Sequence, residues 1–312
     1  MSTSRAATAG LFWALVFVSL EAVQFVYFGN IFQRLNAFLF GALVFGVTTL
    51  GFLVWAWWTR RTEMRRAFAR RDLLWRINLT ATLAWIAFLT SVQLIEPAVA
   101  YTIGAGAMPI TAWIIWRLGL PEGVAMRNAR ERVGNLVVAV AIVFLAIATV
   151  SGLSGFARGG PLSALAGVAF AIADGALFTL LLVYCQRLDR CGVGAGAVFS
   201  LRFVLYVPVA GALYAGGIGI VTQVSGLEVA AFVMLGILLI VPPLYALQRA
   251  VALVPTLTLS ALTATGPFLI FGLQALEGRV EQSGVTLAGL VVYYAGATLA
   301  AIGAVKAERA LD

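Results

Sequence analysis

The stretch RNARERVGNLVVAVAIVFLAIATVSG, residues 127–152, decides the fold. Arg127, Arg130 and Arg132 stand at its head, and residues 134–152 then carry no charged side chain. A helix crossing the hydrocarbon core of a bilayer needs about 20 predominantly apolar residues. Polar and apolar positions do not alternate within the run, so it does not read as a strand of a membrane barrel. Runs of the same kind occupy roughly 9–32, 37–58, 73–94, 98–116, 134–152, 163–185, 196–216, 229–247, 256–275 and 286–305, with short loops between them. The reading is an all-α integral membrane protein of ten transmembrane helices, since a helix satisfies its own backbone groups in lipid.

Composition agrees. Hydrophobic residues make up 62% of the 312 and charged residues 11%, against about a quarter charged in soluble domains. The net charge of +8 does not point to nucleic acid, because the charges sit in loops and no interleaved basic and aromatic surface occurs. The chain has no histidine, the commonest general base and metal ligand. Cys185 and Cys191 alone make no metal site, and no cofactor is expected. Residues 1–8 are polar and carry Arg5. The run after them lacks a small-residue cleavage site and reads as the first membrane helix rather than a signal peptide.

Arginine placement gives the orientation. With the N-terminus inside, the inner segments hold seventeen of the 21 basic residues: Arg5, the seven from Arg60 to Arg76, Arg117, Arg127, Arg130, Arg132, Arg187, Arg190, Arg249, Lys306 and Arg309. Arg34, Arg158 and Arg279 fall outside, and Arg202 lies in or near the seventh run. That bias predicts an even number of spans, both termini cytoplasmic, and a multi-pass protein of the bacterial inner membrane.

The halves repeat. Gln33-Arg34-Leu35 ends the first run as Gln186-Arg187-Leu188 ends the sixth, and twelve residues before each glutamine stands an acid, Glu21 or Asp174. Pro97 precedes Pro109 by the interval that separates Pro255 from Pro267. Glu122-Gly123 precedes Gly134 as Glu277-Gly278 precedes Gly289. The offsets, 153, 158 and 155 residues, predict a five-helix unit in 1–152 duplicated in 153–312. Five is odd, so the two units are inverted in the membrane around a central cavity, a recurring transporter architecture.

At these residues the chain resembles the drug/metabolite transporter superfamily, in particular its EamA-type ten-helix members. The likeness rests on Pro97 through Pro109, Pro255 through Pro267, the Leu118-Gly119-Leu120-Pro121-Glu122-Gly123 stretch, the segment from Glu277-Gly278 to Gly289, and Arg202-Phe203. It implies a basket of helices around a central cavity and export of amino acids, metabolites or drugs. Two features depart from the pattern: Arg202-Phe203 has no counterpart in the second run, which carries Gly41 and Gly46, and Glu21 stands where small or apolar residues are usual.

Ionisable groups inside a bilayer cost about 2.5–3.5 kcal/mol on insertion scales and are functional candidates. Glu21 and Asp174, midway along their runs, are candidates to bind a proton or a cationic group of the substrate; the alternative for Asp174 is a packing pair with Arg202. Arg202 is a candidate clamp for a carboxylate or phosphate, or else snorkels to the surface. Gln24, Asn78, Gln93, Tyr101, Tyr245 and Gln248 are further substrate-binding candidates, with Trp85, Trp13 and Trp113 as aromatic walls. Interhelical bonding is the competing role for these. Pro97, Pro109, Pro255 and Pro267 are candidate hinges, with Pro242 and Pro243 as further bends. Gly104 and Gly106 allow close helix approach. The arginine run from Arg60 to Arg76 reads as a topogenic loop, with anionic lipid as its alternative partner.

No Gly-x4-Gly-Lys-Ser/Thr loop occurs, which disfavours ATP hydrolysis. The expected function is secondary transport of an amino acid or amino-acid-derived compound by a monomer, with membrane lipid and protons as partners. An opine-type metallophore or a drug is the alternative cargo. A membrane-embedded enzyme lacks the clustered carboxylates or histidine its chemistry requires, and a receptor or assembly factor would act through its helices alone.

Overall fold

The computed structural model describes residues 3–221, 223–251, 253 and 256–308. In chain order the helices are α1 (Thr3–Ile31), α2 (Ala37–Thr59), α3 (Arg61–Ala69), α4 (Arg71–Leu94), α5 (Pro97–Arg117), α6 (Ala129–Val150) and α7 (Pro161–Arg190). There follow α8 (Ala195–Leu201), α9 (Tyr206–Ala215), α10 (Gly226–Val251), α11 (Thr256–Thr263), α12 (Gly266–Glu277) and α13 (Gly284–Glu308). Among the described residues the only extended pairing is an isolated bridge between Ile95 and Ala157.

Helix starts follow local chemistry. Asn36 caps α2, its Oδ1 accepting from the amides of Phe38 and Leu39 at 2.9 and 3.3 Å. Asn128 caps α6 by accepting from the Glu131 amide at 2.9 Å, and Glu131 Oε2 accepts in return from the Arg127 amide at 2.8 Å. Each bond satisfies an amide that the first helical turn leaves open. Pro97, Pro161 and Pro267 stand in the first turns of α5, α7 and α12, where the missing N–H costs nothing.

Nine segments of the described residues are long and apolar enough to cross a bilayer: α1 from Thr8, α2, α4, α5, α6, α7, the α8–α9 pair, α10 as far as Leu247, and α13 as far as Ala304. The chain is an all-α, multi-pass membrane protein. The exposed side chains say the same: Leu136, Val140, Val143 and Ile147 form an outward stripe along α6, each more than half exposed. A surface of that kind belongs against lipid tails.

The run expected as one helix over 256–275 is instead two, α11 and α12, separated at Ala264–Thr265. Pro267 is the cause. It has no N–H for the Thr263 carbonyl four residues earlier, and its ring crowds that position. The run over 196–216 is interrupted likewise at residues 202–205, four residues ahead of Pro208, which offers no N–H to the Val204 carbonyl. Pro109 and the Pro242–Pro243 pair, by contrast, lie within the continuous helices α5 and α10. Pro255 lies outside the described residues.

The principal packing pairs are α6 with α13, α4 with α7, α1 with α10, α5 with α7, α1 with α11 and α12, and α2 with α8 and α9. Small residues permit the closest of these. A Cβ on Gly175 of α7 would stand 2.1 Å from the Gly104 carbonyl oxygen of α5, and one on Gly134 of α6 would stand 2.3 Å from the Ala300 amide of α13. Lipid tails are as apolar as the helices, so van der Waals fit of this kind drives association in the membrane.

Gly175→Val is therefore expected to force α5 and α7 apart and destabilise the protein by about 1–3 kcal/mol. Gly272→Val, at a position with open space around it, leaves stability unchanged. Thermal unfolding of both variants in one detergent measures the contrast, and equal melting would refute the packing account.

Candidate functional site

The site is built on one turn of α5. Tyr101 Oη lies 3.1 Å from Glu21 Oε2 of α1 and 3.4 Å from the carbonyl oxygen of Thr263, the last residue of α11. Pro267 has no N–H to offer that carbonyl. The single proton of Tyr101 thus stands between an acid and a helix break. An ionised Glu21 draws it, whereas a protonated Glu21 can donate to Tyr101 and release the phenol proton to Thr263. Phe25, one turn beyond Glu21, holds the Tyr101 ring edge-to-face at 4.9 Å. Glu21 is half-buried and has no cationic partner among the described residues.

Asp174 reaches the same part of α5 from α7. A Cβ on Gly104, one turn past Tyr101, would stand 3.3 Å from Asp174 Oδ2. Asp174 is half-buried and makes no hydrogen bond or ion pair among the described residues. Two acids from α1 and α7 therefore bear on adjacent positions of one helix.

Arg202 lies at the α8–α9 break, half-buried, with its guanidinium 4.4 Å from the Phe199 ring centroid and 4.6 Å from that of Phe203. Its Nε is buried without a hydrogen-bond partner. The alternative pairing of Asp174 with Arg202 does not form. The α7 side chain within electrostatic reach of Arg202 is Cys185, and eleven residues of helix place Asp174 about 16 Å further along.

Other candidates are committed to the scaffold. Asn78 donates to the Leu74 and Leu201 carbonyls, each at 3.0 Å, and accepts from the Leu205 amide at 3.0 Å. It thereby satisfies the backbone on both sides of the α8–α9 break. Gln93 donates to the Phe32 carbonyl at 3.1 Å, joining the ends of α4 and α1. Trp85 packs edge-on against Phe45, Phe88 and Phe203 at 4.5–6.0 Å in a filled aromatic core. Tyr245 is exposed and rests edge-on against Trp13 at 5.5 Å, and Trp113 lies under Arg117 at 5.2 Å. Gln24 is buried, and its amide has no hydrogen-bond partner among the described residues. The Gln248 side chain lies outside the described residues.

Glu96 escaped the sequence reading. It has no exposed surface, and its carboxylate accepts from the Gly155 amide at 2.9 Å, Thr286 Oγ1 at 3.0 Å and Gln274 Nε2 at 3.1 Å. Gln274 Oε1 accepts in turn from the Ala98 amide at 2.9 Å. The signal was an acid between two apolar runs, directly before Pro97, but its partners are 59 to 190 residues away.

Two related charge pairs mark the ends of the bundle. At the arginine-rich end Glu122 forms a two-bond pair with Arg187, at 2.9 and 2.8 Å. At the other end Glu277 bonds Asn30 and, at 3.2 Å, Arg279. Asn30 lies one turn before Arg34, whose guanidinium instead stands 5.7 Å from the Phe232 ring.

The chain is similar over 99% of its length, and over 99% of the other's, to a protein whose crystal structure is known, with a TM-score of 0.61 and 19% identity. At that identity the likeness is one of fold alone. No family model matches the chain, and no curated protein does.

The bonds from Arg187 hold the Glu122 carboxyl below its ordinary value of 4.5. A depressed folded-state value adds stability at pH above the unfolded value, and that stability is lost as pH falls through the folded one. Wild type should therefore melt above Glu122→Gln at pH 7, with the gap closing below about pH 4.5. A gap that does not change with pH would show that the pair adds nothing through charge.

Proposed function

We propose that this chain is a secondary transporter that exports a small polar or amphipathic metabolite across the bacterial inner membrane. In this reading it has ten spans, with α11 and α12 together forming the ninth, and consists of two inverted five-helix halves of the drug/metabolite transporter type with both termini in the cytoplasm. The observation that carries the proposal is the packing pattern. Exchange α1 with α7, α2 with α8–α9, α4 with α10, α5 with α11–α12, and α6 with α13. The α4–α7 pair then becomes α10–α1, and the α5–α7 pair becomes α11–α12 with α1, while α6–α13 and α2 with α8–α9 map onto themselves. These are the neighbours found. A bundle that is its own partner under exchange has two equivalent arrangements, and alternating access needs such a pair.

The charge pairs at the two ends support the same motion. Arg187 and Glu122 correspond to Arg34 and Glu277 under the sequence offsets of 153 and 155. The first pair is closed, whereas Glu277 sits one helical turn short of Arg34, on Asn30. Passage to the opposite state closes Arg34 on Glu277 and opens Glu122 from Arg187.

The unpaired groups suit a cargo carrying both amine and acid: an amino acid, a derivative of one such as an opine-type metallophore, or an amphipathic drug. Asp174 and Glu21 would receive a proton or an ammonium group, and Arg202 a carboxylate. The switch of the Tyr101 proton from Glu21 to Thr263 would couple protonation to the α11–α12 break. One chain contains both halves, so a monomer suffices.

Metabolite pools inside cells and in the medium, compared by mass spectrometry between a deletion strain and an overexpressing one, identify cargo and direction. With cargo in hand, Glu21→Gln and Asp174→Asn in proteoliposomes are expected to cut transport at least about tenfold, the scale of one lost charged contact, and to flatten its pH dependence. Unaltered pH profiles in both would refute the coupling role. Exchange between the two states needs no cargo to test. In a Cys185→Ala, Cys191→Ala background, cysteines at 34 and 277 and at 122 and 187 should each cross-link, but never both pairs in one molecule. Both pairs bridged together, or a 34–277 pair that never bridges, would refute alternating access of this kind.

A further inference from the structure

We infer that α3 is a docking surface for anionic phospholipid headgroups, and that lipid bound there fixes the α8–α9 break at Arg202. The helix is short and two-faced. Met64 and Ala67 are buried against the protein, while Arg61, Arg65 and Phe68, at i, i+4 and i+7, form an exposed stripe. Arg70 and Arg71 continue the exposed cations into α4. None of these four arginines has a carboxylate partner among the described residues, for the one acid of α3, Glu63, is taken by Arg60 at 2.7 Å. Around them stand exposed indoles: Trp57 and Trp58 at the end of α2 and Trp75 at the start of α4. Indole rings settle at the headgroup level of a bilayer. Unpaired guanidinium groups at that depth meet lipid phosphates, to which their planar forks are matched.

The inner side of α3 grips α8. Glu63 Oε2 accepts from the Gly194 amide, the N-cap of α8, at 2.9 Å, and Arg66 donates to the Gly192 carbonyl at 3.3 Å. Met64 meets Ser200 Oγ at 3.7 Å. Trp55, at the end of α2, abuts Gly196, where a Cβ would come within 2.9 Å of its ring. Phe199, on the same short helix, packs edge-on against Phe52 at 4.7 Å and lies under Arg202 at 4.4 Å. A continuous chain of contacts therefore runs from the lipid-facing arginines through α3 and α8 to Arg202 at the α8–α9 break. Headgroups that hold α3 in the interface hold α8 with it.

The test uses the full chain in nanodiscs of phosphatidylcholine alone or with phosphatidylglycerol, read by hydrogen exchange over residues 192–205 and by retained lipid in native mass spectrometry. No transport assay enters, so the outcome stands apart from the proposed transport. Phosphatidylglycerol is expected to slow exchange in that segment and to co-purify with the protein. The combined variant Arg61→Gln, Arg65→Gln, Arg70→Gln and Arg71→Gln should abolish both effects, with about fivefold affinity lost per arginine removed, while the corresponding four Arg→Lys changes keep most of them. Should the glutamine variant not fold, raising salt on wild type decides, since screening must reverse the slowed exchange. Glycerol phosphate in solution should have no effect, and an equal effect would assign the site to free phosphate and overturn the lipid reading. Equal exchange in the two lipids, or an unchanged response in the glutamine variant, would also overturn it.

Discussion

Backbone amides and carbonyls in hydrocarbon have no water to turn to, and each one left unpaired costs several kcal/mol. The interior of this protein is arranged around two helix breaks where that demand is hard to meet. Pro208 and Pro267 each remove an N–H from a helix within the apolar layer, and each stands just after a break in its helix. At the first break Asn78 supplies both a donor and an acceptor, to Leu201 and Leu205. At the second, Tyr101 Oη reaches the Thr263 carbonyl. One repair is static, with all of the Asn78 bonds made to backbone. The other is shared with an acid, since Glu21 competes for the same phenol proton.

That contrast separates scaffold from site. Side chains that complete the backbone or fill the aromatic core, such as Asn78, Gln93 and Trp85, have their polar atoms or faces occupied. Those with unspent capacity among the described residues include Glu21 and Asp174 on either side of one turn of α5, Gln24, and Arg202 between two phenylalanine rings. An ionisable group kept in a membrane without an oppositely charged partner is expensive, and among the described residues Glu21, Asp174 and Arg202 are such groups. Their separation matters as much as their number. Arg202 neighbours Cys185, about 16 Å along α7 from Asp174, too far for the two charges to neutralise one another, so both remain available to a ligand or a proton.

Much of this was legible beforehand. The apolar runs gave helix positions to within a few residues because length and hydropathy are local properties. The paired acids, the proline spacings and the Glu-Gly turns mark Glu21, Asp174, Pro267 and Glu122 in the sequence itself. Glu96 was not legible, although it is the most completely buried acid described, because its donors come from Gly155, Gln274 and Thr286, far along the chain. Nor was the division of α11 from α12. Pro267 announced a distortion, but a proline inside α5 or α10 leaves the helix continuous, so the residue type alone does not choose between a bend and a break.

By itself, then, the sequence determined which segments enter the membrane, because that is a sum of side-chain transfer free energies along about 20 consecutive residues and needs no neighbours. It also carries the ordered matches at offsets of 153, 158 and 155, since these are a property of the string. Tertiary structure decided which polar groups are spent and which are free, because a hydrogen bond is made only when a second segment arrives at about 3 Å. Asn78 and Asp174 look alike on paper, each a lone polar residue in an apolar run. The α8–α9 break came to lie against the first, and no hydrogen-bonding partner among the described residues came to lie against the second.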